Sequence, residues 1–250
     1  MDIQKYLNRI GIKGKSNPTL AFLQKLQKAH LLNIPFENLD IHYGNKIELN
    51  ADKLFKKVVI NNRGGFCYEL NGLFYELLNS LEFNVKRISA KVYNKDNGYG
   101  KEFDHLVLIV NINSIEYLAD VGFGEFSLAP LKFELQILQH DKRGKFFFDR
   151  YDEKYFRINR KENNQTIPQY IFKTEGRKLQ EFNSMCKYHQ SSKESHFTQK
   201  KVITLPTENG RITLNDDKLK ITENGISKES DFESEKEFEK NLWEYFKIKI

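Results

Sequence analysis

The sequence predicts an α+β fold, because the spacing of its hydrophobic residues changes along the chain. In the first third, apolar residues recur at helical intervals, as at Leu20, Leu23 and Leu26. From about Asn84 onward, short β-rich runs separated by polar turns replace that spacing, which is typical of an antiparallel barrel or sandwich. A third region, from about residue 177, combines a polar helix, a hairpin and a terminal helix. The length of 250 residues fits one domain or two to three small ones.

The individual elements follow from local patterns. Helical spacing recurs at Leu54, Val58 and Val59, and again from Leu70 to Leu81. The β-rich runs cover residues 88–92, 105–110, 115–121, 145–148, 155–158 and 170–172. A polar helix is predicted over residues 177–188, and the dipeptide Asn209-Gly210 favours a hairpin turn between strands at 202–205 and 212–214. A final amphipathic helix carries Phe238, Leu242, Tyr245 and Phe246 on one face, and the charged stretch from Ser227 to Lys240 is expected to be its solvated start.

The composition limits the partners of the protein only weakly. With 40 basic and 34 acidic residues, the formal net charge is +6, which favours anionic ligands in general. The lysines are scattered among glutamates and asparagines, and no long basic run or stacked aromatic motif occurs. A solvated surface is therefore a better interpretation than a nucleic-acid interface.

The cysteine content and the hydropathy of the sequence indicate the cellular compartment of the protein. Only two cysteines occur, Cys67 and Cys186, so a disulfide framework is not predicted and a reducing compartment is the natural interpretation. Cys186 has neither a glycine turn nor an orienting acid and is expected to be a structural helix residue. The N-terminus lacks an apolar signal segment, and the longest apolar run, Leu106 to Val110, is too short to cross a bilayer. We therefore expect a cytoplasmic protein without a membrane partner.

Cys67 is the most informative residue, because its surroundings are typical of a reactive thiol. It follows the turn-permitting pair Gly64-Gly65, and the spacing of the leucines after it predicts a helix that begins near Cys67. The unpaired amides and the dipole of a helix N-terminus favour an anion, so we expect the thiol pKa to fall from its usual value of roughly 8.5. A small buried hydrophobe is the ordinary interpretation of a free cysteine. A base and an orienting group would make Cys67 a nucleophile instead.

A predicted hairpin supplies both groups. The runs HLVLIV and IEYLADV are β-rich and lie on either side of the polar stretch NINS. If the turn is centred between Ile112 and Asn113, His105 and Asp120 face each other across the ladder, with Cβ atoms roughly 4.5 to 5.5 Å apart. The carboxylate would then orient the imidazole, although an odd-length loop or a bulge would shift this register. A satisfied strand histidine and a turn-forming aspartate are the alternative interpretation.

Four separated segments carry a more specific signal, and together they resemble the arylamine N-acetyltransferases. They occur in the order of that family and span nearly the whole chain. The segments are HLLNIPFENL from His30, RGGFCYELNGLF from Arg63, YLADVGFG from Tyr117 and YHQSSKESHFT from Tyr188.

The resemblance implies a reaction and its catalytic residues. Cys67 corresponds to the acyl-accepting nucleophile, His105 to its base, and Asp120 to the group that orients and charges the histidine. The implied activity is acetyl transfer from acetyl-CoA to an arylamine, arylhydrazine or N-hydroxyarylamine, through an acetyl-cysteine and a ping-pong sequence, as in xenobiotic metabolism. Acetyl-CoA would act as cosubstrate, and no metal is implied.

The resemblance also implies a division of the chain into three parts. Residues 1–83 would form a helical bundle that carries the nucleophile, residues 84–176 a β-barrel that carries His105 and Asp120, and residues 177–250 an α/β lid. Nucleophile and base would then come from different parts, so that the interface between these parts is the active site.

Other residues of the matching segments are candidates for binding and support. Two phenylalanines are expected to line an aromatic slot, a His-Phe pair is expected to contact substrate or coenzyme, and an arginine is expected to pair with a glutamate and fix the docking of the parts. Plain core packing and an ordinary surface arginine are the alternatives. The two phenylalanines of the slot are Phe36 and Phe123, the His-Phe pair is His196 and Phe197, and the arginine and glutamate are Arg63 and Glu37.

Two other functions fit parts of the sequence. A papain-like or transglutaminase-like thiol hydrolase or acyltransferase would use the same three residues on peptides or amides, and release of free thiol from acetyl-CoA distinguishes acetyl transfer from it. A binding module for an acidic partner would need no reactive thiol. The three residues argue against that module, and thiol reactivity tests it.

Overall fold

The computed structural model, which describes residues 1–163 and 165–250, begins with helices that pack against the helix carrying Cys67. The elements of this part are α1 (Ile3–Arg9), α2 (Leu20–Asn33), the two-residue strand β1 (Phe36–Glu37), α3 (Leu39–His42), α4 (Ala51–Phe55), a π-helical turn (Lys56–Ile60) and α5 (Cys67–Ser80).

Helix α5 begins at Cys67, as the leucine spacing predicts. The Glu69 carboxylate accepts a hydrogen bond from the Phe66 amide at 3.1 Å, which satisfies a backbone donor at the helix start. Gly65 is required here by close approach, because a Cβ at this position would lie 2.7 Å from the Glu69 Cβ. The glycine turn thus lets the chain enter α5 directly against its own capping residue.

The central part is a nearly closed antiparallel β-barrel. Its strands are β2 (Asn84–Asn94), β3 (Gly98–Tyr99), β4 (His105–Ile112), β5 (Ile115–Ala119), β6 (Leu131–Lys132), β7 (Gln139–Asp141), β8 (Gly144–Arg150), β9 (Phe156–Glu162) and β10 (Gln165–Phe172). The spatial order is β6-β5-β4-β2-β10-β9-β8-β7, and β3 pairs with β2. The change from helix to strand at Asn84 lies where the composition predicts it.

Strand β4 is buried on both faces and joins two hydrophobic cores. Leu106, Leu108 and Val110 pack with α5 in the helical core, whereas Val107 and Ile109 pack inside the barrel. Because successive side chains of a strand point to opposite faces, one strand contacts both parts. This explains why the run HLVLIV is continuously apolar after its histidine.

The hairpin formed by β4 and β5 exists, but the predicted register is wrong. Ile112 pairs with Ile115, so the turn is centred between Asn113 and Ser114. Both turn residues have positive φ, 51° and 66°, as a two-residue hairpin of type I′ requires. In this register Asp120 follows the end of β5 and lies diagonal to His105 rather than opposite it. The change preserves the face on which both side chains lie.

The third part combines helices with a five-stranded sheet. After a 3₁₀ turn (Leu179–Phe182), its elements are α6 (Asn183–Ser191), α7 (His196–Gln199), β11 (Val202–Thr207), β12 (Gly210–Asn215), β13 (Lys218–Glu223), β14 (Ile226–Asp231) and α8 (Glu235–Phe246). The sheet order is β1-β11-β12-β13-β14, so a strand of the helical part completes it. The stretch 227–231, expected to belong to a helix start, instead pairs with β13, and the helix begins at Glu235.

A third hydrophobic core lies between this sheet and α8. Phe238, Leu242 and Phe246 of the helix pack on Ile203 and Leu214 of the sheet. Within the two described ranges, no helix has the length and apolarity needed to cross a membrane.

Candidate active site

His105 and Asp120 form a direct, buried hydrogen bond. The distance from His105 Nε2 to Asp120 Oδ2 is 2.8 Å, and the two residues are 2% and 1% exposed. Burial by itself raises the pKa of the carboxyl group, but the charge of His105 and hydrogen bonds from His105, Asn71 and the Gly122 amide together lower it below the usual value. Asp120 is therefore held as a carboxylate and fixes the orientation of the imidazole.

Asn71 connects the helix of Cys67 to the strands of His105 and Asp120. Its Nδ2 donates to Asp120 Oδ1 at 2.8 Å and to the Leu106 carbonyl at 2.7 Å, and its Oδ1 accepts from the Val121 amide at 2.9 Å. Asn71 lies one turn after Cys67 and is fully buried. All of its hydrogen bonds thus serve the junction between α5 and the barrel.

Cys67 lies at this junction, directly against the segment that follows Asp120. A Cβ at Gly122 would lie 2.8 Å from the Cys67 Cα, so only glycine allows this approach. The Cys67 sulfur receives a hydrogen bond from the Leu106 amide, next to His105. In the described part of the chain, no hydrogen bond joins Cys67 to His105, so the fold brings His105 and Asp120 together and places Cys67 beside their strands.

The expectation of a lowered Cys67 pKa is wrong for this closed site. Burial raises the pKa of the thiol well above its usual value and outweighs the Leu106 hydrogen bond, which lowers it. The negative charges of Asp104 and Asp120 raise the pKa further. The helix N-terminus alone therefore does not make Cys67 a thiolate.

We expect the pH dependence of alkylation to reveal the raised pKa of Cys67. Because the Cys67 pKa is raised, its labelling by iodoacetamide should be slow at pH 6 and should still increase above about pH 8.5. Peptide mass mapping across this range measures the rate at each cysteine. Cys67→Ala isolates labelling at Cys186, whose pKa burial and the charge of Glu69 raise to about 12. A labelling rate at Cys67 that is already maximal at pH 6 would contradict this and indicate a thiolate-imidazolium pair.

Tyr170 is a further contact of Asp120 that the sequence did not reveal. Its hydroxyl donates to Asp120 Oδ2 at 3.1 Å, and its ring centroid lies 5.3 Å from that of His105. Tyr170 lies on β10, far from Asp120 in the chain, so no local spacing could have identified it. Asn71 could have been found, because it is a polar residue four positions after Cys67 on an otherwise apolar helix face.

The aromatic candidates fall into two groups. Phe123 packs against His105, with the ring centroids 5.2 Å apart. Phe197 packs against Phe36, at a centroid distance of 6.0 Å, and against Phe66, which precedes Cys67, at 5.7 Å. The His196 ring lies 3.9 Å from that of Phe197 and is exposed. The three candidate phenylalanines are half-buried. One group thus lies beside His105 and the other beside Phe66, which precedes Cys67.

Arg63 makes a two-point contact with Glu37. The distances are 3.0 Å from Nε to Oε1 and 3.1 Å from Nη2 to Oε2. Glu37 lies in β1, which pairs with β11 of the C-terminal sheet. The pair therefore links the segment before Cys67 to a strand of that sheet, and neither residue belongs to the barrel strands that carry His105 and Asp120.

A second histidine links the C-terminal helices to the strand of His105. His189 Nε2 lies 3.1 Å from Asp104 Oδ1, and His189 Nδ1 lies 3.0 Å from Ser195 Oγ. Tyr68 also donates to the Asp104 carbonyl, at 3.0 Å. These bonds fix the residue before His105 from two sides. Across the described ranges, no cluster of three or more His, Cys, Asp or Glu residues is suited to a metal ion.

Comparison with known proteins places this arrangement in a family. A model of the N-acetyltransferase family matches residues 19–250. An arylamine N-acetyltransferase of Mycolicibacterium smegmatis is 32% identical over 240 residues, which cover 94% of this chain and 87% of that protein. A crystal structure of a Mycobacterium smegmatis arylamine N-acetyltransferase variant aligns with a TM-score of 0.92 at 30% identity, over 100% of this chain and 93% of the other.

An arylamine N-acetyltransferase structure from Bacillus cereus aligns with the same TM-score, 0.92, at 26% identity and over 100% of both chains. It is described as having a unique Cys-His-Glu catalytic triad. The residue bonded to the histidine of the present chain is Asp120. The match over most of the length, in sequence and in fold, shows that this chain belongs to the arylamine N-acetyltransferases, a family of acyltransferases.

Proposed function

We propose that the protein transfers an acetyl group from acetyl-CoA to an arylamine, arylhydrazine or N-hydroxyarylamine through an acetyl group bound to Cys67. The observation that carries this proposal is the buried hydrogen bond between His105 and Asp120, beside a cysteine that contacts the segment after Asp120. A nucleophile, a base and a group that orients the base are the parts that covalent acyl transfer needs.

The first half of the proposed reaction begins with a proton transfer. The Asp120 carboxylate can only accept a hydrogen bond, so His105 Nε2 must carry the proton and donate it. The other ring nitrogen, Nδ1, is then free to act as an acceptor. Cys67 gives its thiol proton to His105 as its sulfur attacks the thioester carbonyl. The bond from the carbonyl carbon to the donor sulfur then breaks, and His105 returns the proton to the departing thiolate. Asp120 stabilises the imidazolium between these events.

The second half passes the acetyl group to the amine. The amine nitrogen attacks the carbonyl carbon of acetyl-Cys67, while His105 takes the proton that the nitrogen loses. The bond to the Cys67 sulfur breaks, and the proton returns from His105 to the sulfur. Phe123 beside His105 and Phe197 beside Phe66 are the rings that we propose contact an aromatic acceptor.

A burst experiment tests the proposal. Acetyl-CoA alone should release close to one equivalent of free coenzyme A per protein, followed only by slow hydrolysis, because the acetyl group stays on Cys67 until an amine arrives. Intact-mass spectrometry should show one acetyl group, and an aminobenzoate should remove it. Cys67→Ala should show neither burst nor adduct, whereas Cys186→Ala should retain both. Release of coenzyme A only in the presence of amine would refute the acetyl-cysteine and favour direct transfer.

We also propose that residues 1–83, 84–176 and 177–250 are the working units of the enzyme and that the protein is cytoplasmic. The barrel supports the central unit, because it has a hydrophobic core formed only by residues within 84–176. The cytoplasmic location is supported by two free cysteines, which suit a reducing compartment. Small aromatic amines and coenzyme A are the partners that this function requires.

A further inference from the structure

His189 is a buried histidine that the proposed mechanism does not use, and both of its ring nitrogens have side-chain partners. His189 Nε2 lies 3.1 Å from Asp104 Oδ1, His189 Nδ1 lies 3.0 Å from Ser195 Oγ, and the residue is 4% exposed. The Asp104 carboxylate can only accept a hydrogen bond. Nε2 of the neutral ring therefore donates to Asp104, and Nδ1 accepts from the Ser195 hydroxyl. His105 uses its Nε2 in the same way toward Asp120.

The first partner, Asp104, directly precedes His105 at the start of β4. Its Oδ2 accepts from the Val92 amide at 3.3 Å, and its carbonyl accepts from the Tyr68 hydroxyl at 3.0 Å. The negative charge of Asp104 also reaches the nucleophile, because it raises the pKa of Cys67. A shift of the Asp104 carboxylate would therefore change both the position of His105 and the charge that Cys67 experiences.

The second partner, Ser195, is the residue at which α7 begins, and it is 2% exposed. Its Oγ accepts from the Phe197 amide at 3.3 Å, and the Phe197 ring packs against Phe66, which precedes Cys67. Because the Ser195 hydroxyl gives its hydrogen to His189, its lone pairs remain available to the Phe197 amide. Burial and these two bonds give Ser195 a structural position rather than that of a second nucleophile.

The ring of His189 is itself held by aromatic packing. Its centroid lies 6.0 Å from that of Tyr68 and 5.2 Å from that of Phe197. Tyr68 directly follows Cys67 in α5, and Phe197 is one of the rings proposed to contact an aromatic acceptor. His189 thus contacts residues that adjoin the nucleophile, the base and the proposed acceptor slot.

We propose that His189 is a positioning residue that serves the two half-reactions through different ring nitrogens. Its Nε2 holds Asp104, and with it His105, for the acetylation of the cysteine. Its Nδ1 holds Ser195, and with it Phe197, for the approach of the aromatic amine. The proposal rests on the proposed acetyl transfer. It adds to that function a residue of the C-terminal part that acts on both steps.

Two substitutions of His189 separate its two contacts. In His189→Gln, the terminal amide takes the place of Nε2 and can still donate to Asp104, but the contact with Ser195 is lost. In His189→Asn, the amide oxygen takes the place of Nδ1 and can still accept from Ser195, but the contact with Asp104 is lost. Ser195→Ala removes the same contact as His189→Gln and leaves His189 in place.

Single-turnover experiments measure the two half-reactions separately. Acetylation of Cys67 by acetyl-CoA should be about ten-fold slower in His189→Asn, the lower end of what one hydrogen bond to a charged group contributes, and close to wild type in His189→Gln. The concentration of an aminobenzoate that gives half-maximal discharge of acetyl-Cys67 should rise about five-fold in His189→Gln and Ser195→Ala, the value of one neutral hydrogen bond, but not in His189→Asn. Ser191→Ala is the matched control, because Ser191 is exposed at the end of α6, and it should leave both steps unchanged.

The split between the two steps distinguishes positioning from a general loss of packing. Equal slowing of acetylation in His189→Asn and His189→Gln, or wild-type kinetics in both, would overturn the proposal. If neither variant of His189 folds, an equal amine requirement in Ser195→Ala and Ser191→Ala overturns it instead. A wild-type protein that acetyl-CoA does not acetylate refutes the proposed function, and this role with it. Normal acetylation of the wild type without the split refutes the role of His189 alone.

Discussion

Asp120→Asn is expected to lower the turnover number by about 10⁴-fold, the effect of the equivalent change in a serine-protease triad. The amide has one acceptor atom in place of two carboxylate oxygens, and it cannot stabilise an imidazolium. In the wild type, Oδ1 receives the Asn71 and Gly122 donors, and Oδ2 receives His105 and Tyr170. An asparagine therefore leaves buried donors unmatched and selects the wrong imidazole tautomer. Single-turnover acetylation of Cys67 measures the loss.

Tyr170→Phe provides a graded comparison for that experiment. It removes one of the donors to Asp120 and leaves the carboxylate and the other three donors, so turnover should fall by about ten- to a hundred-fold, the value of one hydrogen bond to a charged group. Circular dichroism and thermal unfolding verify that each variant is folded. A folded Asp120→Asn protein with nearly wild-type turnover would remove Asp120 from the proposed mechanism.

The pH dependence of stability should also differ between the wild type and Asp120→Asn. The folded-state pKa of Asp120 is lowered, so its stabilising contribution is present above the unfolded pKa of about 3.9 and is lost as the pH falls through the folded value. Asp120→Asn lacks this titration. The free energy of unfolding of the wild type should therefore decrease more steeply below about pH 4 than that of the variant.

Several elements could be predicted because their signals are local. Helix α5 begins at Cys67, since the leucine spacing and the glycine pair both lie in one short segment. The hairpin of β4 and β5 follows from two β-rich runs around a polar turn. Its register did not follow, because Ser114 adopts a positive φ that serine residues seldom favour. The prediction still placed both side chains on the same face of the hairpin, and this sufficed to bring His105 and Asp120 together.

Other elements depend on pairing between distant segments. Strand β1 has two residues, and Phe36 pairs with Thr204 of β11, so no local pattern indicates it. The stretch 227–231 is polar and exposed throughout, yet it forms the edge strand of the sheet because β13 offers it a complete ladder of hydrogen bonds. Charged residues are typical of such edges, since they discourage further pairing.

The positions of the candidate residues were predicted better than their electrostatics. Residue types and order identified Cys67, His105 and Asp120 as candidates that fold next to one another. The pKa of the thiol was predicted in the wrong direction, because burial and the charge of Asp104 depend on the packed structure. A buried, protonated thiol next to an oriented base is consistent with the proposed mechanism, in which His105 removes the proton only as the thioester is attacked.

Asn71→Ala is expected to damage both stability and catalysis. The substitution leaves the buried Val121 amide and the Leu106 carbonyl without their Asn71 partners and removes one donor from Asp120, so we expect a loss of about 3 kcal/mol in the free energy of unfolding. Because Asn71 also fixes the helix of Cys67 against the strand of His105, displacement of these groups should slow single-turnover acetylation about 10²-fold. Urea unfolding and rapid-quench acetylation measure the two effects. Asn79→Ala is the control, since Asn79 is exposed on the same helix and its loss should change stability by less than about 0.5 kcal/mol. If Asn71→Ala and Asn79→Ala were equally stable and equally active, the hydrogen bonds of Asn71 would not hold Cys67 in position.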